Sequence, residues 1–177
     1  GDLVTTADNG PQPIRWIGTT SFGPQQLAAN PRLRPILIQR GVLGVARDLL
    51  VSPQHGMLIG GDHLARAKHL VEEMKGVRVA NGKKNVTYIH LMFDQHEVIF
   101  AENTASESFY PGPSGIKMMA PDARAELFAL LPGIAGCTTK HATALAYGAT
   151  ARAFVHKRDI AACLKMHNQQ ATPSLVA

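Results

Sequence analysis

Ser52 and His55, inside Asp48 to Gly60 (DLLVSPQHGMLIG), are the residues whose types and spacing first suggest chemistry. An imidazole titrates near neutrality and a hydroxyl can orient or relay a proton, so a Ser-x-x-His unit suits acid–base work on a reacting bond. Apolar runs flank it, Leu49, Leu50 and Val51 before and Met57, Leu58 and Ile59 after. Pro53 fixes one φ in the break at Ser52-Pro53-Gln54, so the unit reads as a corner at a strand end, set against a core. A plainer alternative stays open, a core-edge histidine whose ring is satisfied by a carbonyl.

Two further histidines lie on the strongest β signal of the chain, Asn85 to Asn103 (NVTYIHLMFDQHEVIFAEN). Strands over Val86–Phe93 and Glu97–Ala101 join there at Asp94-Gln95-His96. Period 2 sets His90, Met92, Asp94 and His96 on one face if the strand runs straight. His55, His90 and His96 then offer three nitrogens to a metal, with Asp94 as ligand or support. Against that reading, no His-x-x-x-His helix pair and no Cys/His cluster at ligand spacing occurs, so no metal is expected. No Gly-rich loop opens a βα unit, so no nucleotide or other cofactor is expected either. Glu72-Glu73, Glu102 and Glu107 read as solvated charges. Cys137 and Cys163 form no Cys-x-x-Cys pair, and Cys163 repeats the helical spacing of Ile160 and Leu164 as a small buried residue.

The elements that position these residues are those of one ordinary globular unit. Its 177 residues carry 45% hydrophobic and 18% charged residues, enough for a sizeable core. No apolar run approaches the ~20 residues of a membrane helix, and no signal peptide opens the chain. The net charge of +5 is scattered, its densest groups being Lys83-Lys84 and Lys157-Arg158, with one Trp to interleave. A nucleic-acid surface needs a clustered basic stripe, so none is expected.

In order, Gly1–Ala7 reads as a strand, Asp8-Asn9-Gly10 as a turn, and Pro13–Gly18 as a second strand. Residues 19–32 read as loop. Leu33–Gln39 is strand-like, confined by Pro35 to an edge or a bulge. Asp62 can cap a helix over His63–Lys75, where Leu64, Ala67, Leu70, Val71 and Met74 fit the 3.6 period. Residues 104–121 read as a Pro/Gly-rich loop. Helices follow over Pro121–Leu131 and Asp159–Met166, and His167–Ala177 is a tail. The count is strand-rich, a mostly-β domain over 1–132 with a helical extension over 133–177.

Several spaced blocks resemble a known family. DLLVSPQHGMLI, LARAKHLV and VTYIHLMFDQHEVIFAENTASESFYPG occur in the order found in bacterial Hint domains, relatives of the Hedgehog autoprocessing domain and of inteins. GDLVTTADNGPQPIRWIG and LRPILI are similar to the family's early strands. The resemblance covers residues 1–132 and implies a mostly-β horseshoe Hint fold with short C-terminal helices.

What the resemblance implies for activity is cleavage of a peptide bond at the domain's own N-terminus through an ester or thioester. Ser52 stands for the threonine of the family's Thr-x-x-His block and His55 for its histidine, which assists that conversion. The chemistry needs such a group, because the amide nitrogen must gain a proton and an oxyanion must be stabilised. One preorganised donor there is worth ~3 kcal/mol. Asp94 and His96 align with the family's Asp-x-His, in supporting roles. Ile89 replaces the aspartate that inteins carry after Tyr88, which leaves His90 as a candidate second acid/base.

Family members begin with a Cys or Ser nucleophile, then a strand, upstream of the GDLV element. The expectation is therefore a fragment whose nucleophile segment precedes Gly1 and which is silent by itself. An edge strand left open would favour a homodimer. Inteins end on a His-Asn pair; Glu107-Ser108 stands at that position here, and His167-Asn168 reads as a coincidental dipeptide. The own upstream polypeptide is the expected substrate, with no nucleic-acid or membrane partner. The alternative is a Hint-fold module that no longer reacts and serves as a binding or spacer domain. Relatives often sit in exported bacterial proteins, so export is associated with the resemblance.

Overall fold

The sequence alternates short apolar runs with Gly, Pro and Asn breaks, and it folds as short strands joined by tight turns. The computed structural model describes residues 1–170, and of the side chains those up to residue 165. Among the described residues twelve strands form three sheets, with short helices between and after them and no closed barrel. In chain order these are β1 (Leu3–Thr6), β2 (Gly10–Pro13), β3 (Trp16–Phe22), α1 (Pro24–Ala29), β4 (Ile36–Ile38), β5 (Leu49–Val51), β6 (Gly56–Ile59) and β7 (His63–Arg66). They continue with α2 (Ala67–Leu70), β8 (Val77–Val79), β9 (Val86–Met92), β10 (Val98–Ala101) and β11 (Thr104–Glu107). The chain then turns helical through α3 (Pro113–Met118), α4 (Pro121–Leu130) and α5 (Lys140–Tyr147), and closes with β12 (Ala153–Phe154) and α6 (Ile160–Gln170).

The largest sheet runs β12-β7-β6-β11-β10-β1-β2; β3 and β9 pair alone as a long ribbon, and β5-β4-β8 make a third sheet. The β1–β2 hairpin turns at Ala7-Asp8-Asn9 and resumes at Gly10, whose φ of 63° suits glycine. Thr6 ties the turn by donating its hydroxyl to the Gly10 carbonyl at 2.8 Å and accepting from Asn9 N–H at 3.1 Å.

Two cores result. The first gathers Ile36, Ile38, Met57, Ile59, Ala65, Leu70 and Val77 from β4, β6, β7, α2 and β8, and α6 covers it with Ile160 and Cys163. The second lies under the β3–β9 ribbon, where Trp16 and Met92 meet Ile116, Leu127, Ile134 and Tyr147. Leu127 and Tyr147 stand on either side of residue 132 and are buried in one cluster.

Several expectations are corrected here. His63–Lys75 is no continuous helix: β7 occupies His63–Arg66 and a single helical turn follows. The helical spacing of its apolar residues arises because β7 is covered on both faces, burying the adjacent Leu64 and Ala65 together. Pro35 does not mark an edge. It precedes β4, the central strand of its sheet, and only its carbonyl is needed, accepting Ala80 N–H at 2.8 Å. Residues 19–32 contain the end of β3 and α1, and residues 104–121 contain β11 and α3. The final helix extends to Gln170, so His167-Asn168 lies on it; residues 171–177 of the expected tail lie outside the described residues.

Candidate active site

The corner between β5 and β6 is held by its backbone. His55 N–H donates to the Ser52 carbonyl at 3.0 Å, which closes a turn around Pro53 and Gln54. The first residues of α2 staple the outside, Ala67 N–H to His55 O at 2.9 Å and Lys68 N–H to Pro53 O at 3.0 Å. Both backbone polar groups of His55 are thereby engaged, and only side-chain torsions remain free. Ser52 contributes its carbonyl to this turn, and its hydroxyl makes no hydrogen bond among the described residues.

The next layer comes from β11 and the residues after it. Ser106 pairs with Met57, so Glu107 lies beside Gly56, adjacent to His55. Glu107 Oε1 accepts Gly56 N–H at 2.6 Å. Its Oε2 lies 3.3 Å from His96 Nε2, and the carboxylate is only 12% exposed. Glu107 is therefore no solvated charge, which corrects the reading of it from sequence. Ser108 donates its N–H to the Glu97 carbonyl at 2.8 Å and accepts Glu97 N–H on its hydroxyl at 2.9 Å, and Phe109 N–H reaches the Leu91 carbonyl at 2.7 Å. These bonds stitch residues 107–109 across the ends of β10 and β9.

His96 is 3% exposed and fully engaged. Its Nε2 lies 3.2 Å from the Ser108 carbonyl, its Nδ1 accepts Ala151 N–H at 2.9 Å, and the Tyr110 ring meets it edge-on at 5.2 Å. His90 projects from the middle of β9 opposite Gly18, with Nε2 3.3 Å from Thr20 Oγ1 and its ring 5.0 Å from that of Phe109. Gly18 is required there, because the Trp16 ring lies against its Cα where a Cβ would stand.

Charge is scarce in this cluster. Burial lowers the pKa of His55; the Glu107 carboxylate opposes that shift and His96 adds to it. Burial, with a smaller contribution from His55, brings His90 down to about 4. Both rings are therefore neutral at pH 7, each able to donate from one nitrogen and accept at the other. His55 thus lies close enough to interact with both His90 and His96. Asp94 does not join them: the chain leaves the β9 line after Met92, and Asp94 pairs at the surface with Arg15 at 2.6 Å. Among the described residues, no group of three His, Cys, Asp or Glu side chains is arranged to hold a metal ion.

The Hint domain family model matches residues 1–113, well over half of the chain. The chain belongs to the Hint domain family. No curated protein and no solved structure matches it. Within this Hint domain the match ends just past β11, so His55, His90, His96, Glu107 and the Trp16–Gly18 floor lie inside it, while Ala151 lies beyond. Two clefts, of about 260 Å³ beside Arg34 and Lys83 and of about 350 Å³ beside His63 and Phe154, are not lined by the histidine cluster.

Glu107 is the residue that sequence reasoning missed. Thr104–Glu107 (TASE) has no apolar alternation, so nothing in it signals a strand buried between β10 and β6. One signal was available: Glu107-Ser108 stands where inteins place their terminal His-Asn.

Proposed function

We propose that this Hint domain carries the acid–base half of an N-to-S or N-to-O acyl shift, cleaving a peptide bond in polypeptide joined upstream of Gly1. The observation that carries the reading is the His55 corner, an imidazole fixed by its backbone at both ends, kept neutral, and set beside the Glu107 carboxylate. Conversion of an amide to an ester or thioester needs a proton delivered to the departing nitrogen and a donor for the oxyanion. His55 takes the proton of the attacking thiol or hydroxyl and passes it to the departing nitrogen, ending neutral as it began; its lowered pKa makes the transient charged form a strong acid, and Glu107 nearby keeps that form accessible. Ser52 orients the bond from the start of the corner. His90, with the Thr20 hydroxyl, supplies the second donor in place of the aspartate that Ile89 displaces. His96 supports Glu107 from behind. The nucleophile is a Cys or Ser of the upstream segment, and without it the domain is silent.

A second reading is an inert Hint-fold module that binds or spaces. The surface pairing of Asp94 with Arg15 favours it, because one expected member of the acid–base set stands apart.

The deciding experiment is intact mass spectrometry of a chain extended upstream, with and without hydroxylamine or a thiol. Splitting at a Cys or Ser ahead of Gly1, abolished in His55→Ala, is the expected result. An uncut chain under every condition moves the assignment to the inert module.

A further inference from the structure

Ala151 lies outside the segment matched to the family, on the stretch between α5 and β12, yet its backbone N–H enters the site. It donates to His96 Nδ1 at 2.9 Å. A donor must meet a lone pair, so the ring proton of His96 sits on Nε2. Nε2–H then faces the Ser108 carbonyl at 3.2 Å and Glu107 Oε2 at 3.3 Å. The other oxygen of Glu107 takes Gly56 N–H at 2.6 Å, next in the chain to His55. Four groups are thus linked in series from the C-terminal segment to the corner.

The segment is held from several directions. Tyr110 donates its hydroxyl to the Gly148 carbonyl at 3.0 Å, and Tyr147 donates to Phe93 O at 2.8 Å. Arg152 binds Asp8 at 2.7 Å and lies 2.9 Å from Asp62, and β12 pairs in parallel with β7.

We propose that the Ala151 N–H is a positioning group, which fixes the His96 tautomer with its proton on Nε2 and so turns an N–H donor toward Glu107, whose other oxygen holds Gly56 beside the His55 corner. A proton on Nδ1 would set two donors face to face across 2.9 Å, so His96 can take it only if the segment lifts. The titratable groups around the ring are Glu107, His55 and Tyr110; the guanidinium of Arg152 turns away to Asp8 and Asp62. Of these, Glu107 faces Nε2, while the Ala151 N–H faces Nδ1. The use of this arrangement in acyl transfer rests on the function proposed above; the protonation state of His96 does not.

The test uses the whole chain with ¹⁵N-labelled histidine and long-range ¹H–¹⁵N spectra, His96→Gln serving to assign the ring. The parent at neutral pH should show a bare Nδ1 and a protonated Nε2. Ala151→Pro deletes the donor, and the share of the ring carrying its proton on Nδ1 at neutral pH should rise about tenfold. Ala151→Gly keeps the N–H and should leave the pattern unchanged. Should proline prevent folding, Arg152→Gln decides, since it loosens the segment without touching the ring and should move Nδ1 protonation in the same direction. A protonated Nδ1 in the parent, or the parent pattern in the folded donor variants, overturns the proposal. In the upstream-extended chain, failure of the parent itself to cleave refutes the function and leaves the spectroscopic result standing.

Discussion

Acidification from pH 8 to pH 5 should destabilise the fold through His90 by an amount that the structure sets. The ring titrates at about 4 in the folded protein against 6.5 when free, chiefly because it is buried against Phe109 and Gly18. Between those values the unfolded chain binds a proton that the folded chain refuses, so stability rises with pH across this window. The contribution is intact above pH 6.5, falls by about 2 kcal/mol at pH 5, and reaches about 3 kcal/mol below pH 4. His55, lowered by burial, acts in the same direction. Asp8, Glu72 and Glu102 are held low by Arg152, Lys157 and Arg47, and their contributions disappear only at more acid pH. Urea unfolding of the parent and of His90→Gln at pH 8, 7, 6 and 5 separates the terms. The variant should lose about 2 kcal/mol less than the parent between the extremes, whatever its stability at pH 8. Parallel pH curves for the two proteins, or an NMR midpoint for His90 near its free value, would refute the reasoning.

Glu107→Gln should cost about 1–3 kcal/mol, because either orientation of the amide turns an NH₂ toward a donor, Gly56 N–H or His96 Nε2–H. Its second readout is the His55 titration, which should move to lower pH once the carboxylate is gone. Gly18→Ala should drive the Trp16 ring off the sheet at a cost of about 1–3 kcal/mol, and fluorescence from the single tryptophan should shift to the red. Tyr147→Phe should cost about 1 kcal/mol in urea midpoint with little change in slope, since it removes the buried bond to the Phe93 carbonyl and no volume.

The parts of the fold legible in sequence are those written in a single local period. Leu49–Val51 and Met57–Ile59 around Pro53 stand out as β5 and β6, and the alternation of Val86–Met92 as β9. The helix starting at Pro121 is announced by its proline and ended before Pro132-Gly133. The elements that were missed depend on neighbours distant in sequence. β7 reads as helix because β6 and β12 flank it and its covered faces leave no alternation. β11 is polar and short, and only its position between β6 and β10 makes Thr104 and Ser106 interior residues. Of the site, His55 was legible from the proline corner. Its proximity to His90 depends on the arrangement of the sheets, and the separation of Asp94 from His96 depends on a turn that begins after Met92, neither of which period 2 describes.

The covering of the first core by Ile160 and Cys163 sets a schedule for biosynthesis. A ribosome releases β4 to β8 long before α6, so Ile38, Met57 and Leu70 wait without their lid while some eighty further residues are made. Arg152, Ala151 and β12, which tie the His96 side of the site to β7, emerge in the same late stretch. The nascent chain therefore cannot complete the histidine cluster until residues 151–154 have been translated. Maturation is ordered by translation itself, with residues 151–164 acting as the fastening for elements made well before them.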